Sequence, residues 1–250
     1  MTVLRTLRSE QIKLTTLRSS WWSVLLTVSA SLASALLIAI VTGNDEGNSD
    51  TVETITVLFL MAAQLALIAL MAMAVIVSTS EYRFGQIRMT LAATPHRWQV
   101  MLAKAVVATA VAFIVGTVTA WLCVLLAKPL LPANIRLELS DPGAMRILWG
   151  LPLYFTVAAL LAMSLGAILR NSPAAITILA VMSLGVEKVL LAIPNTHKVA
   201  QYLPFNAGMR ITQPAGSEWK LSPWGGFTVF CVYAVALFLV AMILTENRDA

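Results

Sequence analysis

Long apolar runs separated by short polar segments form the dominant pattern of this chain. A hydrocarbon core about 30 Å thick takes roughly 20 helical residues at about 1.5 Å each. Six runs suit that length: residues 21–42, 53–79, 99–127, 147–169, 173–193 and 225–244, approximately. The runs are continuous rather than alternating, and lipid offers no water to exposed backbone groups, so they indicate helices rather than barrel strands. The sequence therefore predicts an all-α polytopic membrane protein with six transmembrane helices.

Composition and charge agree with that prediction and add an orientation. Hydrophobic residues make up 59% of the 250 residues, charged ones 12%, and the mean hydropathy is +0.83. If both termini share a side, that side holds ten of the 17 basic residues but four of the 12 acids. Since short cytoplasmic loops retain Lys and Arg, both termini are predicted to be cytoplasmic. The net charge of +5 then reflects topology, and no nucleic-acid partner is expected.

The first 20 residues predict an amphipathic helix lying in the membrane interface, ahead of a transmembrane domain that covers residues 21–250. Most of the basic residues here fall off an apolar stripe. That stripe recurs at helical spacing through Val3, Leu7, Leu14, Leu17 and Trp21. An ordinary basic flank is an alternative, and a signal peptide ending around residues 33–35 is another. Because the apolar run continues past that site, the first span is predicted to be retained.

Catalytic and metal chemistry is limited by the residues present. None of the six lysines follows a glycine, so the chain lacks a standard Walker A nucleotide site, and neither HExxH nor GxSxG occurs. Cys123 and Cys231 lie inside predicted spans, while His96 and His197 lie on opposite predicted sides, which disfavours a metal site or a disulfide framework. The chain is therefore not expected to be an enzyme or to bind a cofactor itself. Energy for uphill transport would come from an ion gradient or another polypeptide.

Residues 80–98, SEYRFGQIRMTLAATPHRW, form a charged segment with a turn between the second and third spans. Gly85 permits a sharp backbone excursion, and Ile87 lies on the apolar face of a short helix that could follow it. An apolar knob flanked by charge suits a groove on a cytosolic partner. The flanking charges are Glu81, Arg83 and Arg88. A solvated cytoplasmic loop is the alternative.

This segment, with SEQIKLTTLRSSWW near the start and ENRDA at the end, resembles the permease subunits of ABC-2-type exporters, especially actinobacterial ones. The family pattern reads E-Y-R-x-G-T-I-R-x-T-L-x-x-T-P-x-R, and this chain departs from it at Gln86, where Thr is common. QYLPFNAGM at 201–209 is similar to the YLP element that precedes the last span in that family. The resemblance covers the whole length, although each motif is weak by itself.

The resemblance implies a partner and a mode of coupling. Two permease subunits would pair, as a homodimer or a heterodimer, and each would receive a cytosolic ATPase subunit carrying ATP and Mg. The chain would sit in the bacterial cytoplasmic membrane, in contact with lipid, and export a lipophilic or amphipathic drug, peptide or lipid. The coupling residues would be Glu81, Tyr82, Arg83, Gly85, Ile87 and Arg88. An ion-coupled secondary transporter or a non-transport polytopic membrane protein is the alternative.

The tight connection between the fourth and fifth spans and the segment before the last span carry further predictions. Ser172 is predicted to cap the fifth helix, ahead of Pro173. Residues 194–224 are rich in proline and aromatic residues. The resemblance implies that they re-enter the outer leaflet as short helices, and an interfacial loop is the alternative.

Glu187 and Lys188 lie in the outer half of the fifth span, where a central charge would cost on the order of 3 kcal/mol. We expect Glu187 to face the interior of a dimer near the exit path, with Gln64 of the second span as a weaker lining residue. A structural tie between Glu187 and the outer segment is the alternative.

Overall fold

The computed structural model describes residues 3–16, 18–43, 64, 66–80, 97–130, 142–193, 196–213 and 220–247. All the secondary structure in these ranges is helical. The helices are α1 (Val3–Thr16), α2 (Arg18–Gly43), α3 (Ala66–Ser80), α4 (Arg97–Ala127), α5 (Pro142–Leu169), α6 (Ser172–Ala192), α7 (His197–Ala200), α8 (Pro204–Met209) and α9 (Pro223–Asn247). Within α6, Val181–Val186 is π-helical, and 3-10 turns at Lys128–Leu130 and Arg210–Thr212 follow α4 and α8.

Four of these helices are long and apolar enough to cross a membrane, so the chain is a helical, multi-pass membrane protein. They coincide with the third to sixth predicted spans: Trp98–Leu126, Pro142–Leu169, Ser172–Ala192 and Pro223–Asn247. Shorter apolar stretches, Trp21–Leu37 and Ala66–Ser80, lie in the first and second predicted spans. Residues 53–63 and 65 of the second span lie outside the described residues. Six spans and cytoplasmic termini therefore stay predictions.

Helix α5 occupies the centre of the described bundle, and two-thirds of its most apolar window (67%) is buried. Small residues let its neighbours approach closely, which is how membrane helices gain packing energy without a hydrophobic driving force between them. A Cβ added to Gly116 of α4 would lie 2.8 Å from the Pro152 Cα atom, and one added to Gly166 would lie 2.5 Å from the Ser78 hydroxyl. The core thus depends on α4 and α3 lying directly against α5.

The turn between α5 and α6 corrects one prediction. Asn171, not Ser172, is the N-cap of α6: its backbone is extended and its side chain accepts a hydrogen bond from the Ala174 amide at 3.1 Å. Arg170 provides the reversal with a left-handed backbone (φ 52°). The Ser172 hydroxyl is instead hydrogen-bonded to the Thr79 hydroxyl, 2.6 Å away at the end of α3. Sequence alone misplaced the cap because both residues have side chains that can cap a helix.

Helix α1 packs against α4, and the most deeply buried position described on it is polar. Glu10 is 3% exposed, whereas Ile12 is 54% exposed. Of the predicted apolar stripe, the described side chains are Leu7, which is half-buried, and Trp21, which is exposed. Helix α1 therefore contacts α4 through an acidic side chain, Glu10.

Candidate functional site

The predicted coupling residues lie outside the described residues, and their roles stay predictions. They are Glu81, Tyr82, Arg83, Gly85, Ile87 and Arg88. The helices on either side are described: α3 ends at Ser80 and α4 begins at Arg97. The contacts made by these two flanks are therefore the structural information that bears on the segment.

Both flanks are fastened to a second element. The end of α3 is held at the α5–α6 turn by the hydrogen bond between Thr79 and Ser172. The first turns of α4 are held to α1, because Lys104 Nζ lies 2.8 Å from one carboxylate oxygen of Glu10. Lys13 Nζ contacts the other oxygen at 2.7 Å.

The joint between α1 and α4 is electrostatically specific. Lys104 is 4% exposed and Glu10 3% exposed, so this ion pair is shielded from solvent. Removing one partner of a buried pair leaves a charge in a poorly solvated place and is strongly destabilising. The pair therefore fixes where α1 sits on α4 more firmly than a surface contact would.

Glu187 is fully buried, and its carboxylate caps another helix. One oxygen accepts a hydrogen bond from the Phe205 amide at 3.2 Å, and the other accepts one from the Asn206 amide at 2.7 Å. These are the first two N–H groups of α8, because its first residue, Pro204, has none, and its N-cap residue Leu203 provides no side-chain acceptor. Free amides at a helix start favour a negative charge. Glu187 thus replaces the missing cap from a different helix.

Asn206 returns the contact and links Glu187 to its neighbour. Its side-chain amide donates to the backbone carbonyl oxygens of Glu187 and Ala200, at 3.0 and 3.1 Å. Lys188 Nζ donates to Asn206 Oδ1 at 3.2 Å and lies 3.4 Å from Met209 Sδ. Two consecutive ionisable residues of α6 therefore both turn toward α8.

Gln64 reaches the same short helix from the second predicted span. Its side-chain nitrogen lies 3.4 Å from Met209 Sδ. The structure thus brings Gln64 and Glu187, the two predicted path residues, to opposite ends of α8. For Glu187 the contacts match the structural alternative, a tie to the outer segment. A place on an exit path stays a prediction for both.

Residues 204–212, which we name the α8 segment, are embedded between α5 and α9. The ring of Phe205 lies 6.0 Å from that of Phe230 on α9, which in turn lies 5.4 Å from Tyr154 on α5. A Cβ added to Gly226 would lie 2.5 Å from the Ala207 carbonyl oxygen. Phe230 is about 10 Å along α9 from its first residue, at 1.5 Å per residue. The α8 segment therefore packs beside α9 beyond its first turns and is covered by protein.

Two arginines that sequence reasoning did not single out hold the far end of the α8 segment. Arg146 of α5 donates to the carbonyl oxygens of Ile211 at 3.1 Å and Gln213 at 2.7 Å. Arg210 is 2% exposed and donates to the Leu221 carbonyl oxygen at 3.1 Å and to Gln213 Oε1 at 3.2 Å. Burial lowers the pKa of Arg210, and the charge of Arg146 lowers it further. The one signal in the sequence concerned Arg146, a basic residue directly before the predicted span 147–169.

Cations at the end of a helix and an anion at its start both favour the helix dipole. The α8 segment has Glu187 at its first amides and the Arg146 guanidinium at the Ile211 carbonyl near its end, so these two charges are arranged to hold it in place. The described residues contain no group of three side chains able to hold a metal ion.

Comparison with protein-family models gives no match for this chain, and comparison with curated proteins gives none either. Its function is therefore inferred from the residues and contacts described above.

Proposed function

We propose that this chain is the transmembrane permease subunit of an ATP-driven ABC-2-type exporter in a bacterial cytoplasmic membrane. It would pair with a second permease subunit, span the membrane six times with both termini in the cytoplasm, and move a lipophilic or amphipathic drug, peptide or lipid outward. ATP and Mg would be bound by a separate cytosolic ATPase. The observation that carries the proposal is the segment EYRFGQIRMTLAATPHR at 81–97, with its family-like spacing of charge, glycine and proline.

The described contacts support a role for that segment in moving the helices. A push on residues 81–96 would reach α3, which is hydrogen-bonded through Thr79 to Ser172 at the α5–α6 turn. It would also reach α4, which is paired through Lys104 with Glu10 of α1. A force applied at one cytosolic place would thus be distributed to both flanks of the bundle at once, as rigid-body switching of a transporter requires.

Ile87 and Arg88 provide the test. The double variant I87D/R88D should abolish co-purification of a nucleotide-binding protein with the full-length chain, because it removes the apolar knob and reverses an adjacent charge. Bound nucleotide-binding protein can be detected by photo-crosslinking to azido-ATP after mild detergent extraction. When the variant is mixed with the ATPase that co-purifies with the parent chain, ATP hydrolysis should stay at the background of the ATPase alone.

A matched control is available on the other predicted side of the membrane. K198D/V199D makes the same chemical changes at two exposed residues of α7 and should retain both the partner and the ATPase activity. Equal amounts of all three proteins in the membrane fraction would exclude a defect in insertion. Transport by the purified chain with no ATPase bound would overturn the proposal and favour an ion-coupled carrier.

A further inference from the structure

The outer half of α6 differs from an ordinary transmembrane helix at one place. Val181–Val186 forms a π-helical turn directly before Glu187. A π turn adds one residue to the helix, so the residues after it are rotated by about 100° relative to a continuous α-helix. With this number of residues in α6, Glu187 and Lys188 point toward α8 because the π turn accommodates one extra residue before them.

The face of α6 that points away from the bundle is apolar. Ile178, Val181, Leu184 and Val189 are all between 43% and 59% exposed, and none can ionise. With the π turn in place, both ionisable residues of this region are directed at Asn206 instead. If the same sequence formed a continuous α-helix, both residues would point away from α8.

Open space beside Gly185 would allow α6 to change from the π turn to a continuous α-helix there. No atom lies within 4 Å of a Cβ added there, whereas Gly226 and Gly208 are both packed tightly. Helix α8, with six residues, is too short to persist without tertiary contacts, so loss of the carboxylate from its first amides would loosen it. The structure thus has a short helix, α8, a clamp formed by Glu187 and Lys188 that holds it, and a π-helical turn directly before the clamp.

We propose that Glu187 and Lys188 are positioning residues that hold the α8 segment in place through Asn206, and that the π turn is a register switch that withdraws both from it. In the switched register the carboxylate of Glu187 would leave the first amides of α8, and Lys188 would come into line with Val181 on the exposed face of α6. The clamp is independent of the proposed function. The register switch rests on the proposed function, because its test measures transport.

The clamp is tested by the reactivity of a buried cysteine. In a chain carrying C123S and C231S, A207C places a thiol on α8, where Ala207 is fully buried. E187Q and K188M should each raise its rate of modification by a hydrophilic methanethiosulfonate about tenfold or more, since each loses a charge-assisted hydrogen bond. K198M, the same change at an exposed lysine, should leave the rate unchanged. Equal rates in parent, E187Q and K188M would overturn the clamp, and this assay needs no ATPase partner.

The switch is tested by shortening the π turn. Deleting Gly185 leaves a continuous α-helix in which Glu187 keeps its present orientation, so A207C should stay as slow to react as in the parent. Transport should be lost in this variant and retained in G185A, which keeps both registers. Parent-like transport after the deletion would overturn the switch. Fast A207C labelling after the deletion would overturn it too, because the clamp would then need the π turn itself. Absence of any ATPase from the parent complex would instead count against the proposed function.

Discussion

At the scale of single residues, the contacts that matter most are made by buried charges. Glu10 and Lys104 join a surface helix to α4, and Glu187 joins α6 to α8. Charges are costly inside a membrane protein unless they are paired or hydrogen-bonded, so each one that is buried fixes a specific geometry. The polar residues of this chain therefore determine where its helices meet.

The Glu10 joint gives a prediction on stability. E10Q should lower the free energy of unfolding by about 3 kcal/mol, because Lys104 stays buried without its carboxylate. K104M should cost less, since Glu10 keeps Lys13 at 2.7 Å. Equilibrium unfolding in mixed micelles, followed by circular dichroism, would measure both.

A double-mutant cycle separates this pair from general damage to α1. E10Q/K104M should be destabilised by less than the sum of the single variants, because no buried charge is left. K13M, at a side chain 41% exposed, should change stability by less than about 1 kcal/mol. Additive losses from E10Q and K104M would show that the pair does not act as a unit.

At the scale of elements, the α8 segment illustrates how a short piece is held by its surroundings. Its first amides are capped by Glu187, its last carbonyls meet Arg146, and its middle lies against Phe230. A helix of this length gains little from its own hydrogen bonds. Its stability should therefore depend on the close approach of α9.

Gly226 tests that dependence. G226A should destabilise the protein by about 2 kcal/mol, because the new Cβ would meet the Ala207 carbonyl oxygen at 2.5 Å and Arg210 Cβ at 2.8 Å. G185A should be neutral or stabilise by up to about 1 kcal/mol, since its Cβ enters open space in a helix. Thermal unfolding in detergent would rank the two. A G226A protein as stable as the parent would mean that α8 and α9 can separate at little cost.

At the scale of the whole molecule, topology is the property on which the proposed function depends. The roles proposed for residues 80–98 and for the α8 segment require that the two lie on opposite sides of the membrane. The positive-inside distribution of charge predicts that residues 80–98 lie in the cytoplasm. The described helices are compatible with that orientation, and labelling can establish it.

Two single-cysteine variants on the C123S/C231S background address this directly. K198C on α7 should react with a membrane-impermeant maleimide in intact cells, because Lys198 is exposed on the predicted outer side. N247C, exposed at the end of α9, should react after the membrane is permeabilised and not before. The reverse pattern would invert the topology and remove the coupling segment from the reach of a cytosolic ATPase.

Sequence by itself determined the fold class, and it located the last four spans to within a few residues. These properties follow from local quantities: the length and apolarity of a run set against the thickness of a bilayer. It also identified Glu187 as a carboxylate inside a span, where a charge is costly, with a structural tie to the outer segment as one of two alternatives. The coupling role of residues such as Ile87 and Arg88 stays a prediction from the motif.

Tertiary structure decided which groups meet. That Glu187 receives the amides of Phe205 and Asn206, and that Glu10 pairs with Lys104 far along the chain, depends on how helices cross and on one extra residue in α6. The wrong choice of Ser172 over Asn171 as a cap has the same origin, since a neighbouring helix engaged the serine. Patterns along a chain report whether a residue is buried, but its partner is fixed by the three-dimensional packing of distant segments.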